Sequence, residues 1–326
     1  MHSTFRTTFE TASGIRSIKP NDRIFFIGSC FAENISQKLK DGMMNCQANP
    51  FGTAYNPASV KEQLRTIIGN LPCKNEDIFF NGKSWVSWLA HTKLFGSSKE
   101  SIKEIIDQQT CKSNEFIKKV DTIAITFGTS WTYKLVETGA TVANCHKMPA
   151  CMFERVRLTK DEIVETWNEV LSELRKLNSN VHILFTVSPI RHVKDTMHGN
   201  QVSKAILLEA VDEIVANNKG TSYFEAYELM MDDLRDYRFY AEDMIHPSPM
   251  AVEYIYEHFA EAYLSYETRQ MVKEGQKLTQ ALNHRPMGNE AEYAKFREAT
   301  SNRIRDFVQK YDIKNDMSDY NTMLNY

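Results

Sequence analysis

Four short apolar runs along the chain have the pattern of β-strands that are buried on both faces. They are rich in β-branched and aromatic residues, and they lie at Arg23–Gly28, Thr122–Gly128, Val181–Ser188 and Thr221–Ala226, with a weaker fifth run at Asn45–Ala48. Amphipathic segments with helical spacing fall between or after them, at Phe31–Lys40, Ala58–Gly69, Lys160–Leu177, Val202–Asn217 and Pro249–Val272. This alternation predicts an α/β fold in which helices cover both faces of a parallel sheet.

Two segments interrupt the alternation. Trp85–Phe95 is rich in aromatic residues, and Tyr133–Ala143 has the pattern of a hairpin around Thr138 and Gly139. Ligands of such folds bind at the carboxyl ends of the parallel strands. We therefore expect both segments to fold over the strand ends and to form walls of a pocket.

From about Thr268 onward the chain becomes polar and helical. We expect one α/β domain over residues 1–267, and a helical extension over residues 268–326 that resumes at Asn289–Tyr311 and ends in a mobile tail. A cap over the pocket and a homodimer contact are both open roles for this extension.

Composition excludes several classes of protein. The 326 residues are 42% hydrophobic and 25% charged with a formal net charge of -3, which is typical of a globular protein and excludes disorder. The scattered basic residues argue against nucleic-acid binding, and no apolar run approaches the ~20 residues of a membrane span. The N-terminal residues lack the pattern of a secretory signal, and the six cysteines include no CxxC pair. We expect a cytoplasmic protein with free thiols and no membrane partner.

Candidate chemistry begins directly after the first strand, at Gly28-Ser29-Cys30. A nucleophile at this strand-to-helix turn would lie exposed at the sheet edge, and the amide groups of the first helical turn would favour its anionic form. A thiol gains most, because a lowered pKa produces the attacking thiolate. The alternative is structural: Ser29 caps the helix and Cys30 is a small buried residue.

A second candidate lies at the end of the α/β part, where Asp243 precedes His246 by three residues. An aspartate at this spacing can orient an imidazole through Nδ1 and leave Nε2 free as a base. The motif is weak by itself, and a surface aspartate beside a helix cap is the alternative. It gains weight from the nucleophile candidate at another strand end.

Together these motifs resemble a known family. They read GSCFA at Gly28–Ala32, NPFGTAYNP at Asn49–Pro57, FGTSW at Phe127–Trp131, NCHK at Asn144–Lys147, SPIRH at Ser188–His192 and DMIHPS at Asp243–Ser248. This order resembles the GSCFA family, which is grouped with the SGNH (GDSL-type) hydrolases, and the resemblance spans residues 23–259. It implies a three-layer, flavodoxin-like SGNH hydrolase fold whose parallel sheet has the order 2-1-3-4-5.

The resemblance also assigns roles. It puts Cys30 in the place of the nucleophile, although a slip of one residue would put Ser29 there, and it keeps Asp243 and His246 as the acid–base pair. It implies an oxyanion hole that includes Gly52 and Ser130, with Ser130 replacing the family's asparagine. The loss of that amide removes a donor of a type worth about 3 kcal/mol in the transition state.

Other polar residues are candidates for the pocket. Asn56 or Asn144 would supply the missing amide, and Trp131, His146 and His192 are candidates for contact with substrate; packing in the core is the alternative for each. Cys145, His146 and Cys151 lack a fourth zinc ligand, so we expect no metal. We expect no cofactor.

The function that these observations favour is nucleophilic acyl transfer by an esterase, deacetylase or acyltransferase. By family analogy the substrate is a small-molecule or glycan ester, with a carbohydrate-linked acyl group preferred. The alternative is a binding module for glycan or lipid esters that keeps the fold and has lost turnover, because two family positions are replaced.

Overall fold

The structure is a computed structural model that describes residues 16–283 and 290–313, with only the backbone described for residues 290–294. The N-terminal segment examined for a signal and the expected mobile tail lie outside the described residues. Ten strands are present in the described part: β1 Arg23–Gly28, β2 Asn45–Ala48, β3 Ile78–Phe80, β4 Trp85–Ser87, β5 Thr122–Phe127, β6 Trp131–Leu135, β7 Thr141–Val142, β8 Phe153–Arg157, β9 His182–Val187 and β10 Thr221–Phe224. The α-helices of the same part are α1 Cys30–Asp41, α2 Pro57–Ile68, α3 Lys99–Ile117, α4 Lys160–Leu177, α5 Thr196–Asn217, α6 Ala226–Glu228, α7 Pro249–Tyr263, α8 Tyr266–Asn283 and α9 Glu290–Lys310.

A parallel five-stranded sheet forms the centre of the protein, in the order β2-β1-β5-β9-β10. Numbered along the chain within this sheet, the order is 2-1-3-4-5, which confirms the predicted topology. All five predicted strands are present. Phe26 of β1 pairs with Ala48 of β2 on one side and with Ala124 of β5 on the other.

Alternate residues of β1 enter two separate cores, as expected for a strand covered on both faces. Phe25 and Ile27 join the cluster under α2, α3, α4 and α5. Ile24 and Phe26 join the cluster under α1, α7, α8 and α9. The result is the predicted three-layer arrangement, and burial of each of these side chains contributes about 1.5–3 kcal/mol relative to an exposed one.

Helix α4 follows its sequence signals closely. The Thr159 hydroxyl accepts a hydrogen bond from the Glu162 amide, and the Glu162 carboxylate accepts one from the Thr159 amide, at 3.2 and 2.7 Å. This reciprocal capping satisfies two amides that the helix itself leaves free. Both ends of the predicted helix Lys160–Leu177 are confirmed.

The prediction of one continuous helix over Pro249–Val272 is wrong, because the chain breaks between α7 and α8. Ile18 inserts there as a short bridge: its amide donates to the Tyr263 carbonyl at 2.7 Å, and its carbonyl accepts from Ser265 at 3.0 Å. The Ser265 hydroxyl then accepts from the Thr268 amide at 3.1 Å. A contact with a residue about 245 positions away therefore ends one helix and begins another.

Some elements have no counterpart in the predictions. Helix α3 was missed, since its buried face includes Thr110, Ser113 and Asn114 and so lacks a clear apolar stripe. The predicted hairpin is present as β6 and β7, with Gly139 at a φ of 70° in its turn. It is extended by β8 into a three-stranded antiparallel sheet.

The described part of the helical extension packs on α1. A Cβ atom at Gly275 would lie 2.6 Å from the Gly42 carbonyl oxygen, so the two backbones are in close contact. The hydroxyl of Thr279 also donates to the Asp41 carbonyl at 2.7 Å. These contacts are at the end of α1 opposite Cys30, roughly 16 Å away along the helix axis. Here α8 completes the outer helical layer and does not cover the turn after β1.

Candidate active site

The turn between β1 and α1 is set by Gly28. This residue has a φ of 128°, and a Cβ atom on it would lie 2.1 Å from the Thr126 carbonyl oxygen of the neighbouring strand. Its amide donates to Oδ1 of Asn49 at 2.8 Å. Only glycine fits this conformation and this approach, so the sharp turn that exposes the next residues depends on it.

Ser29 and Cys30 occupy different environments. Ser29 is 1% exposed and caps α1, with its hydroxyl accepting from the Phe31 amide at 3.3 Å and its amide donating to the Thr126 carbonyl. Cys30 is the first residue of α1, and its thiol is only partly buried. The geometry favours Cys30 as the residue that a substrate can reach.

The expectation that the helix end makes Cys30 a ready thiolate is wrong. Burial raises the pKa of the Cys30 thiol above its ordinary value, and the Glu33 carboxylate raises it further. The amides of Cys30 and Phe31 lower the same pKa, as the helix argument requires, but their effect is smaller. The resting residue at neutral pH is therefore a thiol, which needs a base.

Asp243 and His246 form a hydrogen-bonded pair in the loop before α7. Nδ1 of His246 lies 2.6 Å from Oδ2 of Asp243, while Oδ1 accepts from the amides of Ile245 and His246, each at 2.9 Å. These hydrogen bonds lower the pKa of Asp243 to about 2, so it is a carboxylate at neutral pH. A carboxylate at Nδ1 fixes the tautomer and leaves Nε2 as the free base.

Buried residues near the candidate site respond to the charges of this pair and of Cys30. Burial lowers the pKa of His192 to about 4, and Lys204, Arg155 and, more weakly, His246 lower it further. The charge of a Cys30 thiolate in turn raises the pKa of Lys204 and the pKa of Tyr55. His192 is therefore within electrostatic range of His246, and Lys204 is within electrostatic range of Cys30.

Gly52 and Ser130, the oxyanion donors that the resemblance implies, are already hydrogen-bonded within the chain. The Gly52 amide donates to the Asn49 carbonyl at 2.7 Å. Ser130 is fully buried, and both its amide and its hydroxyl donate to Oγ of Ser203, at 2.8 and 3.1 Å. Each would have to give up a hydrogen bond to serve an oxyanion, so the geometry does not favour these roles.

A cavity of about 400 Å³ opens beside the β6–β7 hairpin, confirming that the hairpin walls a pocket. We call it the hairpin cavity; its lining includes Tyr55, Asn56, Trp131, Tyr133, Asn144, Arg155, Arg191, His192, Lys194 and Asp195. Four of the five predicted substrate contacts therefore lie on one cavity.

The side-chain amides of Asn56 and Asn144, which line the hairpin cavity, hydrogen-bond within the protein through their oxygens. Oδ1 of Asn56 caps α2 by accepting from Ser59, and Oδ1 of Asn144 accepts from the His146 amide, each at 2.8 Å. Within the described residues the Nδ2 group of each makes no hydrogen bond. Either side chain is thus a free amide donor on the cavity wall.

His146 and Trp131 differ from the expectation for contact with substrate. His146 is 2% exposed, with Nε2 2.8 Å from the Ser87 carbonyl and its ring against Phe79 and Trp88, so packing explains it. Trp131 does line the hairpin cavity, but the Arg155 guanidinium lies over its ring at 4.4 Å. A sugar could stack only on the part of the Trp131 ring that the Arg155 guanidinium does not cover.

The segment Trp85–Phe95 folds over the loop after β2, where the His91 amide donates to the Phe51 carbonyl at 2.8 Å. Trp88 is 7% exposed and stacks on Phe79 with ring centroids 3.6 Å apart. None of its residues lines the hairpin cavity.

Sequence reasoning missed Lys204, which is 1% exposed beneath the site. Its Nζ donates to the carbonyls of Gly128 and Ser188, each at 2.6 Å, and so joins the loops after β5 and β9. The signal was present: Lys204 shares the buried stripe of α5 with Leu207, Val211 and Ile214 at helical spacing.

A second cavity, of about 540 Å³, lies beside the loop that carries His246. We call it the methionine cavity; its lining includes Arg191, Met197, Met230, Met231, Leu234, Arg235, Tyr237, Tyr240 and Met244. It was not anticipated, because no periodic pattern marks the loops that form it.

Residues 16–283 and 290–313 contain neither a metal-binding cluster nor a helix suited to span a membrane. No cluster of three or more His, Cys, Asp or Glu residues there is arranged to hold a metal ion. No helix in the same residues has both the length and the hydropathy of a membrane span.

The chain is similar to several solved structures and matches one protein family. The chain is similar in structure to a carbohydrate esterase family 3 from Talaromyces cellulolyticus (8% identity, covering 78% of this chain and 99% of that one, TM-score 0.36). It is also similar to a carbohydrate esterase family 2 enzyme with a carbohydrate binding domain from Corynascus thermopiles (Myceliophthora fergusii) (9% identity, covering 80% and 69%, TM-score 0.40). No curated protein sequence matches significantly. The GSCFA family matches residues 23–259, which include both the Cys30 turn and the Asp243–His246 loop, and the chain therefore belongs to the GSCFA family.

Proposed function

We propose that this protein is an ester hydrolase or acyltransferase of the SGNH type, in which Cys30 is the nucleophile and His246 the general base. The observation that carries the proposal is the Asp243–His246 pair, with Nδ1 held at 2.6 Å by a carboxylate. A histidine held in this way keeps Nε2 for proton transfer. The partly accessible thiol of Cys30, on the sharp turn that Gly28 allows after β1, is the nucleophile candidate.

The raised pKa of Cys30 determines how the first step runs. Because the resting group is a thiol, attack on the ester carbonyl must be coupled to removal of its proton by Nε2 of His246. The carbon–sulfur bond forms, the carbonyl oxygen becomes an oxyanion, and the Asp243 carboxylate stabilises the imidazolium.

Donors for the oxyanion come from the turn and from the cavity wall. The Cys30 amide is at the start of α1 and has no carbonyl acceptor among the described residues. The Nδ2 group of Asn56 is the second donor, on the same cavity as Tyr55, which interacts electrostatically with Cys30. Loss of one such donor costs about 10²–10³-fold in kcat.

The remaining steps complete the acylation of Cys30 and then regenerate the free enzyme. The imidazolium gives its proton to the departing alkoxide, the carbon–oxygen bond breaks, and a thioester on Cys30 remains. Water, or the hydroxyl of an acceptor, then attacks the thioester while His246 takes its proton and returns it to the sulfur. Water gives hydrolysis, and an acceptor hydroxyl gives acyl transfer.

A carbohydrate-linked acyl group is the substrate that we propose for the hairpin cavity. Trp131 and Tyr133 supply aromatic surface there, and Asn56 and Asn144 supply amide groups that suit hydroxyls. The volume of about 400 Å³ suits a small ligand and not a long glycan.

A second candidate function has a specific observation in its favour. Because Gly52 and Ser130 already hydrogen-bond to Asn49 and Ser203, the oxyanion hole that the family resemblance implies is incomplete. A protein with this site and both cavities could bind esters without turning them over. Calorimetry with acetylated sugars separates the two functions, because a binding module gives heat of binding and no product.

The test is a screen of short-chain nitrophenyl esters and acetylated sugars. We expect turnover by the wild type and by His258→Ala, a histidine of α7 that lines neither cavity and serves as the matched control. Cys30→Ala and His246→Ala should each lose activity by on the order of 10³-fold or more. Undiminished turnover by both variants would overturn the mechanism.

A further inference from the structure

Arg191 lies where the two cavities meet. It lines the hairpin cavity and the methionine cavity, and its side chain is half-buried between them. The next residue, His192, interacts electrostatically with His246. A group bound by Arg191 would therefore lie at the edge of the cavity in which we propose that the substrate binds.

The other cations on these two cavities already have partners. Arg155 is paired with Asp195, Arg235 pairs with Asp232 at 3.1 Å, and Nζ of Lys194 donates to the Tyr133 hydroxyl at 3.3 Å. Two of these cations thus have a carboxylate partner, and Lys194 has a hydroxyl acceptor.

Arg191 differs from them. In residues 16–283 and 290–313 no carboxylate lies within ion-pair distance of it, and its one hydrogen bond goes from Nη2 to the Met231 sulfur at 3.0 Å. A thioether sulfur is a weak acceptor, whereas a guanidinium carries five N–H donors in a fork that fits carboxylate and phosphate oxygens.

The apolar surroundings of Arg191 would strengthen an ion pair between its guanidinium and a bound anion. The buried side chains of Met230 and Leu234 form part of the methionine cavity, so water is partly excluded on that side of Arg191. A charge pair gains strength when water is displaced from it. An anionic ligand would supply the negative countercharge that the protein does not give Arg191. Its oxygens would also accept hydrogen bonds from the remaining N–H groups of the guanidinium.

We propose that Arg191 is a specificity residue that binds a carboxylate or phosphate group on the ester substrate, placed at the junction of the two cavities. The substrate class is thus an anionic ester: a dicarboxylic acid monoester, or an acylated sugar phosphate. This inference rests on the proposed function for its catalytic readout, but binding of the anion does not need turnover.

The kinetic test compares esters that differ in one charge. The first pair is 4-nitrophenyl succinate, with its free carboxylate, and its neutral methyl ester. The second pair is an acetylated glucose 1-phosphate and the acetylated methyl glucoside. We expect the wild type to prefer the anionic member of one pair by about 10-fold or more in kcat/KM. The pair that shows the preference identifies carboxylate or phosphate as the group recognised.

Variants then assign the preference to Arg191. Arg191→Gln should remove it and Arg191→Lys should keep part of it. The matched control Arg238→Gln, which alters an exposed cation that pairs with Asp236 and lines neither cavity, should leave it unchanged. Equal kcat/KM values for the anionic and neutral esters in the wild type would overturn the proposal, as would a preference that survives Arg191→Gln.

Calorimetry on Cys30→Ala separates this inference from the proposed function. Titration with monomethyl succinate and glucose 1-phosphate should show binding of one anion that is lost in the Cys30→Ala, Arg191→Gln double variant. Binding that depends on Arg191 but with no hydrolysis of any ester would support the inference and contradict the enzyme. Hydrolysis without binding of either anion would support the enzyme and contradict the inference about Arg191.

Discussion

The Asp243 carboxylate binds both the backbone and the imidazole of His246. One oxygen accepts the His246 amide at 2.9 Å, and the other lies 2.6 Å from Nδ1 of the same residue. A single side chain thus fixes where the histidine backbone lies and which ring nitrogen carries the proton. Since both residues are exposed, this orientation comes from the local hydrogen bonds and not from packing.

The first prediction follows from this double role. In Asp243→Asn, Oδ1 can still accept the backbone amides, but an NH2 group faces Nδ1 and favours the wrong tautomer. We expect kcat to fall by on the order of 10²–10⁴-fold with little change in the thermal midpoint. Glu242→Gln, the exposed neighbour, is the control for esterase assays. A variant that keeps wild-type kcat would show that His246 is not oriented by Asp243.

The second prediction separates the roles of Ser29 and Cys30. Because Ser29 caps α1 through the Phe31 amide, Ser29→Ala should destabilise the fold by about 1 kcal/mol and leave a folded, active enzyme. Cys30→Ala should keep stability and lose turnover, and Cys30→Ser should retain a fraction of it. Urea unfolding beside ester assays gives both quantities. The reverse pattern would make Ser29 the nucleophile.

The raised pKa of Cys30 gives a third prediction that needs no substrate. Alkylation by iodoacetamide requires the thiolate, so labelling of the Cys30 peptide should continue to rise as the pH passes the ordinary thiol value of 9.0. Mass spectrometry distinguishes this peptide from those of the other cysteines. A labelling rate that levels off near neutral pH would indicate a thiolate stabilised by the helix end, contrary to the burial argument.

The sequence predicted those parts of the site that depend on local pattern. The apolar run before Gly28 was sufficient to predict the strand-to-helix turn that carries Cys30, and the spacing of Asp243 and His246 was sufficient to predict their hydrogen-bonded pair. The pKa of Cys30 was not predictable in this way, since it depends on how deeply folding buries the thiol and on Glu33. Spacing along the chain carries no information on burial.

Contacts between distant segments explain the other differences. The helix break before Ser265 depends on Ile18, and the packing of His146 depends on the carbonyl of Ser87, 59 residues away. The shared position of Arg191 on two cavities likewise appears only when the loops after β9 and β10 come together. None of these partners is marked by a motif of its own.

A fourth prediction concerns acid stability and His182. Its Nε2 lies 2.8 Å from the Ser222 hydroxyl, and burial, with a smaller effect of Arg16, lowers its pKa to about 4. In the unfolded chain the pKa is about 6.5, so the unfolded state binds the proton first as the pH falls. Stability should therefore be lost on acidification between about 6.5 and 4.

His182→Gln removes this titration. We expect the slope of unfolding free energy against pH to decrease by up to about 1.4 kcal/mol per pH unit in that window. Urea unfolding at several pH values measures the slope, with His198→Gln, at an exposed position, as the control. Identical slopes for wild type and His182→Gln would mean that His182 titrates normally.

The last prediction concerns Lys204, whose ammonium joins two loops of the site at their strand ends. Burial lowers its pKa to about 7, whereas in the unfolded chain it is near 10.5. Between these values the unfolded state holds more protons, so stability should rise with pH through this window as the buried group loses its charge. Lys204→Met should abolish that rise, by up to about 1.4 kcal/mol per pH unit, whatever it does to stability at one pH. Lys194→Met, at an exposed lysine on the hairpin cavity, is the matched control. If the rise between about pH 7 and 10 is the same in Lys204→Met as in the wild type, another group causes it, and Lys204 stays charged in the folded protein.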